Sequence, residues 1–445
     1  MVRTERRVVI TGLGVVTPLG VGIEPFWSAL AGRRGAVRKI RAFPVAGLPN
    51  DLGGEVLDFD DQAMKALALP KLRTAIRKSL KYMARDIQLS VAGAQLAMQD
   101  AGLVDGGIDP TRIGVDLGAG LISTELDELA PAIDAGYGSN GSFDYNAYAR
   151  EGIGKITPIW LLKYLPNMLA CHISILLDCQ GPSNTITEAE AASNVAIGEA
   201  TRIIAKGRAE VMITGGADSK IHPLSLIRIS LLEQMTRWKG DPAGACRPFD
   251  SARDGWVPGE GAAIIILEER EHALARGARI HGEILGYGSG CDARPAGGLD
   301  PDGVGTEIAI KAAIRDAGVA PEQVGHVNAH GSATVVSDLA EARAIGRIFG
   351  PGKGQGGVPV TALKGYMGNI VSGCGAVELV ASLLGVNRGL IPPILNCDTP
   401  DPAVGRLDLV TGEPRPTDNP VFINTNLTRN GQAAALLVRG NPGVV

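Results

Sequence analysis

Short runs of β-branched and apolar residues alternate with stretches of helical periodicity along the whole chain. The runs that read as strands are 7–12 (RVVITG), 112–118 (RIGVDLG), 210–216 (EVMITGG) and 262–268 (AAIIILE). A second set follows at 280–288 (IHGEILGYG), 325–330 (GHVNAH), 358–363 (VPVTAL) and 420–425 (PVFINT). Helical periodicity covers 72–101, 192–205, 305–317 and 376–388. This alternation predicts an α/β fold with largely parallel strands buried on both faces. The series runs once to about Glu269 and begins again near Ile280, so a duplicated core is expected, with halves at 1–269 and 270–445. Residues 119–160 are polar and read as a loop excursion within the first half.

The helix at 192–205 raises a chemical question. Ala192, Val195, Ala196, Ala200, Ile203 and Ile204 form one apolar stripe that stops at Gly207. Yet two carboxylates, Glu188 and Glu190, stand at its entrance among small residues.

Composition narrows the classes. Hydrophobic residues make up 45% and charged residues 20% of the 445, the balance of a soluble globular protein. The formal net charge of −4 gives no sign of a nucleic-acid or membrane-surface partner. The apolar stretch 160–177 is broken by Lys163, Pro166, Asn167 and His172, and does not suit a bilayer. The start of the chain reads as a strand and turn, not a signal peptide, so a cytoplasmic setting is expected. The six cysteines, Cys171, Cys179, Cys246, Cys291, Cys374 and Cys397, have neither C-x-x-C nor metal spacing and read as buried reduced thiols; no metal is expected. The opening GLGVVTPLG lacks the third glycine of a dinucleotide loop, having Thr17 and then Pro18, so no nucleotide cofactor is expected.

Three segments carry more polar chemistry than a core needs. One is the carboxylate entrance at Glu188 and Glu190. In the second, His330 ends an apolar strand at a glycine, and Ser332 and Thr334 follow; in the third, Lys364 ends a strand and Asn369 sits in a glycine-punctuated turn before a helix. Open α/β sheets gather functional groups at such strand ends and helix starts. Each residue also has a plain structural reading: His330 as a strand cap, Lys364 as a partner of Glu341, Asn369 as a turn residue.

Several strings carry a family resemblance: VVITGLGVVTPLG (8–20), RPFDSARDGWVPGEGAAIIILE (247–268), VNAHGSAT (327–334) and GAVE (375–378). With them the chain resembles the β-ketoacyl-acyl carrier protein synthases, condensing enzymes of the thiolase fold. The resemblance implies two βαβαβ halves in five layers (αβαβα), a dimer, and acyl groups delivered on acyl carrier protein. It places Glu190 where the family keeps its nucleophilic cysteine, and Glu188 at the preceding threonine. His330 matches the first catalytic histidine, Asn369 replaces the second, and Lys364 and Glu341 match the buried lysine and glutamate. In NTNLTRNGQ (424–432), Thr428 stands at the gating phenylalanine and second oxyanion N–H, and Arg429 and Asn430 stand where glycines belong. Ser332 and Thr334 are carried over as substrate-binding residues.

A carboxylate is a poor thioester carrier compared with a thiolate. Self-sufficient condensation is therefore not expected. The leading expectation is a chain-length-factor-like subunit paired with a cysteine-bearing ketosynthase. The alternatives are a malonyl-carrier-protein decarboxylase using His330 and Asn369, and a non-catalytic acyl-binding homodimer. The basic run around Lys65, Arg73 and Arg77 is the expected docking surface for an acidic carrier protein.

Overall fold

The computed structural model describes residues 6–57, 59–104, 106–294, 298–350 and 357–443. Ten strands carry the architecture: β1 (Val8–Thr17), β2 (Ile113–Ala119), β3 (Ser183–Ile186), β4 (Val211–Ser219), β5 (Glu260–Glu269), β6 (Gly282–Cys291), β7 (His326–Asn328), β8 (Pro359–Thr361), β9 (Val421–Leu427) and β10 (Gln432–Gly440). Six helices matter to the site: α1 (Arg85–Asp100), α2 (Ala192–Ala205), α3 (Pro223–Ser230), α4 (Val304–Ala317), α5 (Val335–Phe349) and α6 (Cys374–Asn387).

The order of the first five strands is β1-β5-β4-β2-β3, and that of the next five is β6-β10-β9-β7-β8. The two series share their directions: antiparallel along the first two contacts, parallel along the last two. They meet where Val8, Val9 and Ile10 pair antiparallel with Ile284, Glu283 and Gly282. α1 packs on β1 and β5 and α4 on β6 and β10, while α2 and α6 touch each other between the sheets. The result is the thiolase-like α/β fold in five layers. α6 is apolar almost throughout and all of its residues are buried, as a middle-layer helix requires.

Several expectations need correction. The sheet is mixed rather than largely parallel, because strands buried on both faces give the same continuous apolar run in either direction. β10 was not among the expected strands; its run of three alanines lacks the β-branched signature. The expected helix over 72–101 is broken: a helix covers Arg73–Ser79, a 3-10 turn Leu80–Tyr82, and α1 starts only at Arg85. Met83 and Ala84 are extended there, and both are buried, so packing overrides propensity. Residues 119–160 are not a bare loop but hold helical segments at Leu126–Asp134 and Tyr145–Ala147, with another beginning at Trp160. Finally, Cys291 is exposed, and Cys171 and Cys179 are half-buried.

Candidate active site

Glu190 owes its place to a tight approach of backbone. Strand β3 ends at Ile186, Ala189 adopts a positive φ of 42°, and a 3-10 turn (Ala189–Ala191) leads into α2. A left-handed alanine is strained, and such strain clusters at functional turns. From β4, Gly216 lets the start of α2 and the 371–373 turn close in: a Cβ there would lie 2.4 Å from the Ser372 carbonyl oxygen and 2.9 Å from the Ser193 Cβ. Glu190 and Asn369 are brought together in this way, and Asn369 Nδ2 donates to Glu190 Oε1 at 3.3 Å.

The amide of Asn369 is oriented by its other end. Its Oδ1 accepts from the Val371 N–H at 2.8 Å and from the Cys374 thiol at 3.2 Å, which leaves the N–H group to face Glu190. Burial pushes the Cys374 thiol well above its ordinary pKa, so this sulfur stays protonated.

His330 follows β7 and is fixed through its backbone. The His330 and Gly331 N–H groups donate to the two carboxylate oxygens of Glu341, at 2.8 and 2.9 Å, and Thr425 Oγ1 donates to Glu341 Oε1 at 2.8 Å. Lys364 Nζ reaches the His330 carbonyl oxygen at 2.6 Å and Nδ1 at 3.0 Å, and Asn426 Nδ2 lies 3.2 Å from Nδ1. With two donors aimed at Nδ1, the ring proton must sit on Nε2, which has no partner among the described residues. Burial and the Lys364 charge hold the His330 pKa well below its ordinary value, so the ring is neutral.

Lys364 does not pair with Glu341. Its partner is Glu378 of α6, with Nζ 2.6 Å from Oε1. Glu341 is taken up instead by the backbone of the His330 turn. A chain of amides completes the support: Asn424 Nδ2 donates to Asn194 Oδ1 (3.0 Å), Asn194 Nδ2 to Asn426 Oδ1 (2.8 Å), and Asn426 Nδ2 to Glu378 Oε2 (2.8 Å). Glu378, Asn194, Asn424 and Asn426 were absent from the expected site residues. Two signals marked them: an acid inside the otherwise apolar α6, and asparagines at alternate positions of a buried strand.

A cavity of about 170 Å³ lies over these groups, lined by Glu190, Glu233, His330, Ser332, Thr334, Asn369, Leu427 and Arg429 among others. Ser332 and Thr334 share a hydroxyl contact of 2.9 Å at its wall. Thr428, expected at the substrate, is turned away; its hydroxyl donates to Gln432 Oε1 at 2.6 Å, and Leu427 and Arg429 face the cavity in its stead. Lys65, Arg73 and Arg77 are exposed on the two short helices before α1 and take no part in the cavity. Arg85, from the same basic run, is turned inward and pairs with Glu260 at 2.7 Å.

Glu190 is half-buried, and its pKa lies above the ordinary carboxyl value: burial raises it, while its own N–H, Lys364 and Asn369 oppose. The second acid of the cavity is Glu233, not Glu188. Burial and then the Glu190 charge push Glu233 up to about 7, against the pull of Arg429. Glu188 does not line the cavity, and burial alone raises it. Two N–H donors, from a neutral imidazole and an amide, thus face a small cavity in which the helix-start side chain is a carboxyl that burial favours as neutral.

Residues 5–273 match the family described as "Beta-ketoacyl synthase, N-terminal domain", and residues 281–398 match "Beta-ketoacyl synthase, C-terminal domain". Over 413 residues the chain is 35% identical to 3-oxoacyl-acyl-carrier-protein synthase 2 of Synechocystis sp., covering 92% of each chain. Among solved structures it resembles a β-ketoacyl synthase from Burkholderia phymatum STM815, with a TM-score of 0.84 and 31% identity over 98% of this chain and 100% of that one. It also resembles the ishigamide ketosynthase/chain length factor, with a TM-score of 0.83 and 29% identity over the same shares. Among the described residues, no helix is long and apolar enough to cross a membrane.

Proposed function

The chain belongs to the β-ketoacyl synthase family, and from that premise we propose that it is a non-condensing member whose site decarboxylates a malonyl group held as a thioester on acyl carrier protein. The observation that carries this reading is the pair of donors, His330 Nε2–H and Asn369 Nδ2–H, over a cavity that presents a carboxyl at the helix start. In the reaction, the bond between the malonyl carboxylate and Cα breaks, CO₂ leaves, and the electron pair moves into the thioester as an enolate. His330 and Asn369 hydrogen-bond the enolate oxygen, where negative charge develops, and donors so placed are worth most in the transition state. A proton from solvent then adds to Cα and yields the acetyl thioester. Lys364, Glu378 and Asn426 keep the His330 proton on Nε2, and Glu341 fixes the backbone that carries the ring.

Purified protein is expected to release CO₂ from malonyl-carrier protein and leave acetyl-carrier protein, read by intact mass. His330→Ala should slow this by about 10²–10³-fold, the usual cost of one oxyanion donor. Absence of CO₂ release, or indifference to His330→Ala, would sink the reading.

A second reading is favoured by a different observation. Among the described residues, strand β3 is an uncovered sheet edge with Ser183 and Asn184 exposed, and Leu161, Leu162 and Ile175 are exposed on the helical segments before it. An open edge beside apolar side chains suits a protein partner, and a chain-length-factor-like subunit would set this face against a cysteine-bearing ketosynthase. Co-expression with such a ketosynthase should give a stable heterodimer on gel filtration; a homodimer that ignores it would leave the second reading without support.

A further inference from the structure

The cavity carries a cation that decarboxylation, as described, leaves unused. Arg429 lies in the turn between β9 and β10, lines the cavity, and keeps 42% of its side chain exposed, which puts it at the mouth above buried His330 and Asn369. Its Nε is 3.4 Å from Oε1 of Glu233, which lines the same cavity from the segment after α3. That separation is longer than the about 2.7–2.9 Å of a tight charge-assisted bond. Glu233 is also a weak counter-ion, since burial disfavours its charge. A guanidinium so loosely held, beside a cavity sized for a small acyl group, is poised to exchange one carboxylate for another.

We propose that Arg429 is the residue that selects a carboxylated acyl thioester, binding the free carboxylate of the incoming malonyl group in place of Glu233. The planar guanidinium offers paired N–H donors that match a carboxylate. An acetyl or longer unsubstituted acyl group has nothing to offer it, so the exchange favours malonyl. No covalent step is involved. A cation on the departing carboxylate stabilises the ground state at least as much as the transition state, so Arg429 contributes to binding and not to the chemical step. The assignment rests on the malonyl reading of the site above, and the test separates the two.

The test measures binding of malonyl- and acetyl-pantetheine to the full-length protein by calorimetry, in the His330→Ala background so that malonyl survives. CO₂ release by the protein with His330 intact is followed in parallel. The background protein should prefer malonyl by about tenfold or more. Arg429→Gln should bring the ratio near one with acetyl binding unchanged, Arg429→Lys should restore part of it, and Glu233→Gln should tighten malonyl binding by removing the competitor. With His330 intact, Arg429→Gln should raise KM for malonyl-carrier protein and leave kcat unchanged or higher, not lower. An unchanged malonyl-to-acetyl ratio in Arg429→Gln, or equal loss of both ligands, overturns the assignment even if CO₂ is released. A malonyl preference that depends on Arg429 without CO₂ release upholds the assignment and removes the decarboxylase reading.

Discussion

At the scale of single residues, the proposed reaction turns on Glu190. An ionised carboxylate about 4 Å from a malonyl carboxylate would cost roughly 4 kcal/mol at an effective dielectric near 20. On the proposed reaction the site would work with Glu190 protonated, and its raised pKa keeps the proton to higher pH than an ordinary glutamate would. The sign follows directly: CO₂ release should be full on the acid side and fall as pH rises through the Glu190 pKa. His330 adds no limb there, since its pKa is displaced far to the acid side. Glu233, whose pKa burial pushes up to about 7, faces the same cavity, so the fall should be broad. Glu190→Gln should keep activity at the acid plateau and flatten most of the decline in a pH–rate profile; a profile as steep as the wild type would remove Glu190 from the control of binding. The identities of Glu190, His330, Lys364 and Asn369 were legible in the chain, because each breaks an apolar pattern at a strand end or helix start. Their pairings were not: Lys364 sits 23 residues from Glu341 and 14 from Glu378 in the chain, and nothing in one dimension says which acid the folded lysine meets.

At the scale of elements, what was readable followed local periodicity and what was missed depended on tertiary contact. The helix at 192–205 was readable to the residue because its stripe and its stopping glycine are both local. The break at Met83 and Ala84, the direction of the buried strands and the alanine-rich β10 are set by neighbours distant in sequence. The Glu190 turn depends on such a neighbour, Gly216 of β4. Gly216→Ala would press its methyl against the Ser372 carbonyl and Ser193, backbone and short side chains that cannot swing away. Overpacking of this kind costs about 1–3 kcal/mol. We expect a lower Tm in thermal melts, together with a loss of CO₂ release larger than stability explains, because Asn369 rides on the displaced turn. An unaltered melt and rate would show that the contact is slack.

At the scale of the whole molecule, charge is placed unevenly although the total is small. Lys65, Lys71, Arg73, Arg77, Lys78 and Lys81 are all exposed before α1, on a chain whose net charge is −4. A surface of this kind steers an acidic partner and does so less at high salt. Reversing Arg73 and Arg77 to glutamate should weaken carrier-protein binding at least about tenfold at low ionic strength, with a flatter salt dependence. Unchanged affinity by calorimetry would move docking elsewhere.

Glu190 comes from the first strand series and His330 and Asn369 from the second, and the sheets of those series are joined edge to edge by three residue pairs at Val8–Ile10. Each half therefore contributes only part of the candidate site, and on the proposed reaction a half expressed alone should release no CO₂. The acid, the imidazole and the amide meet only where the two halves are folded against each other.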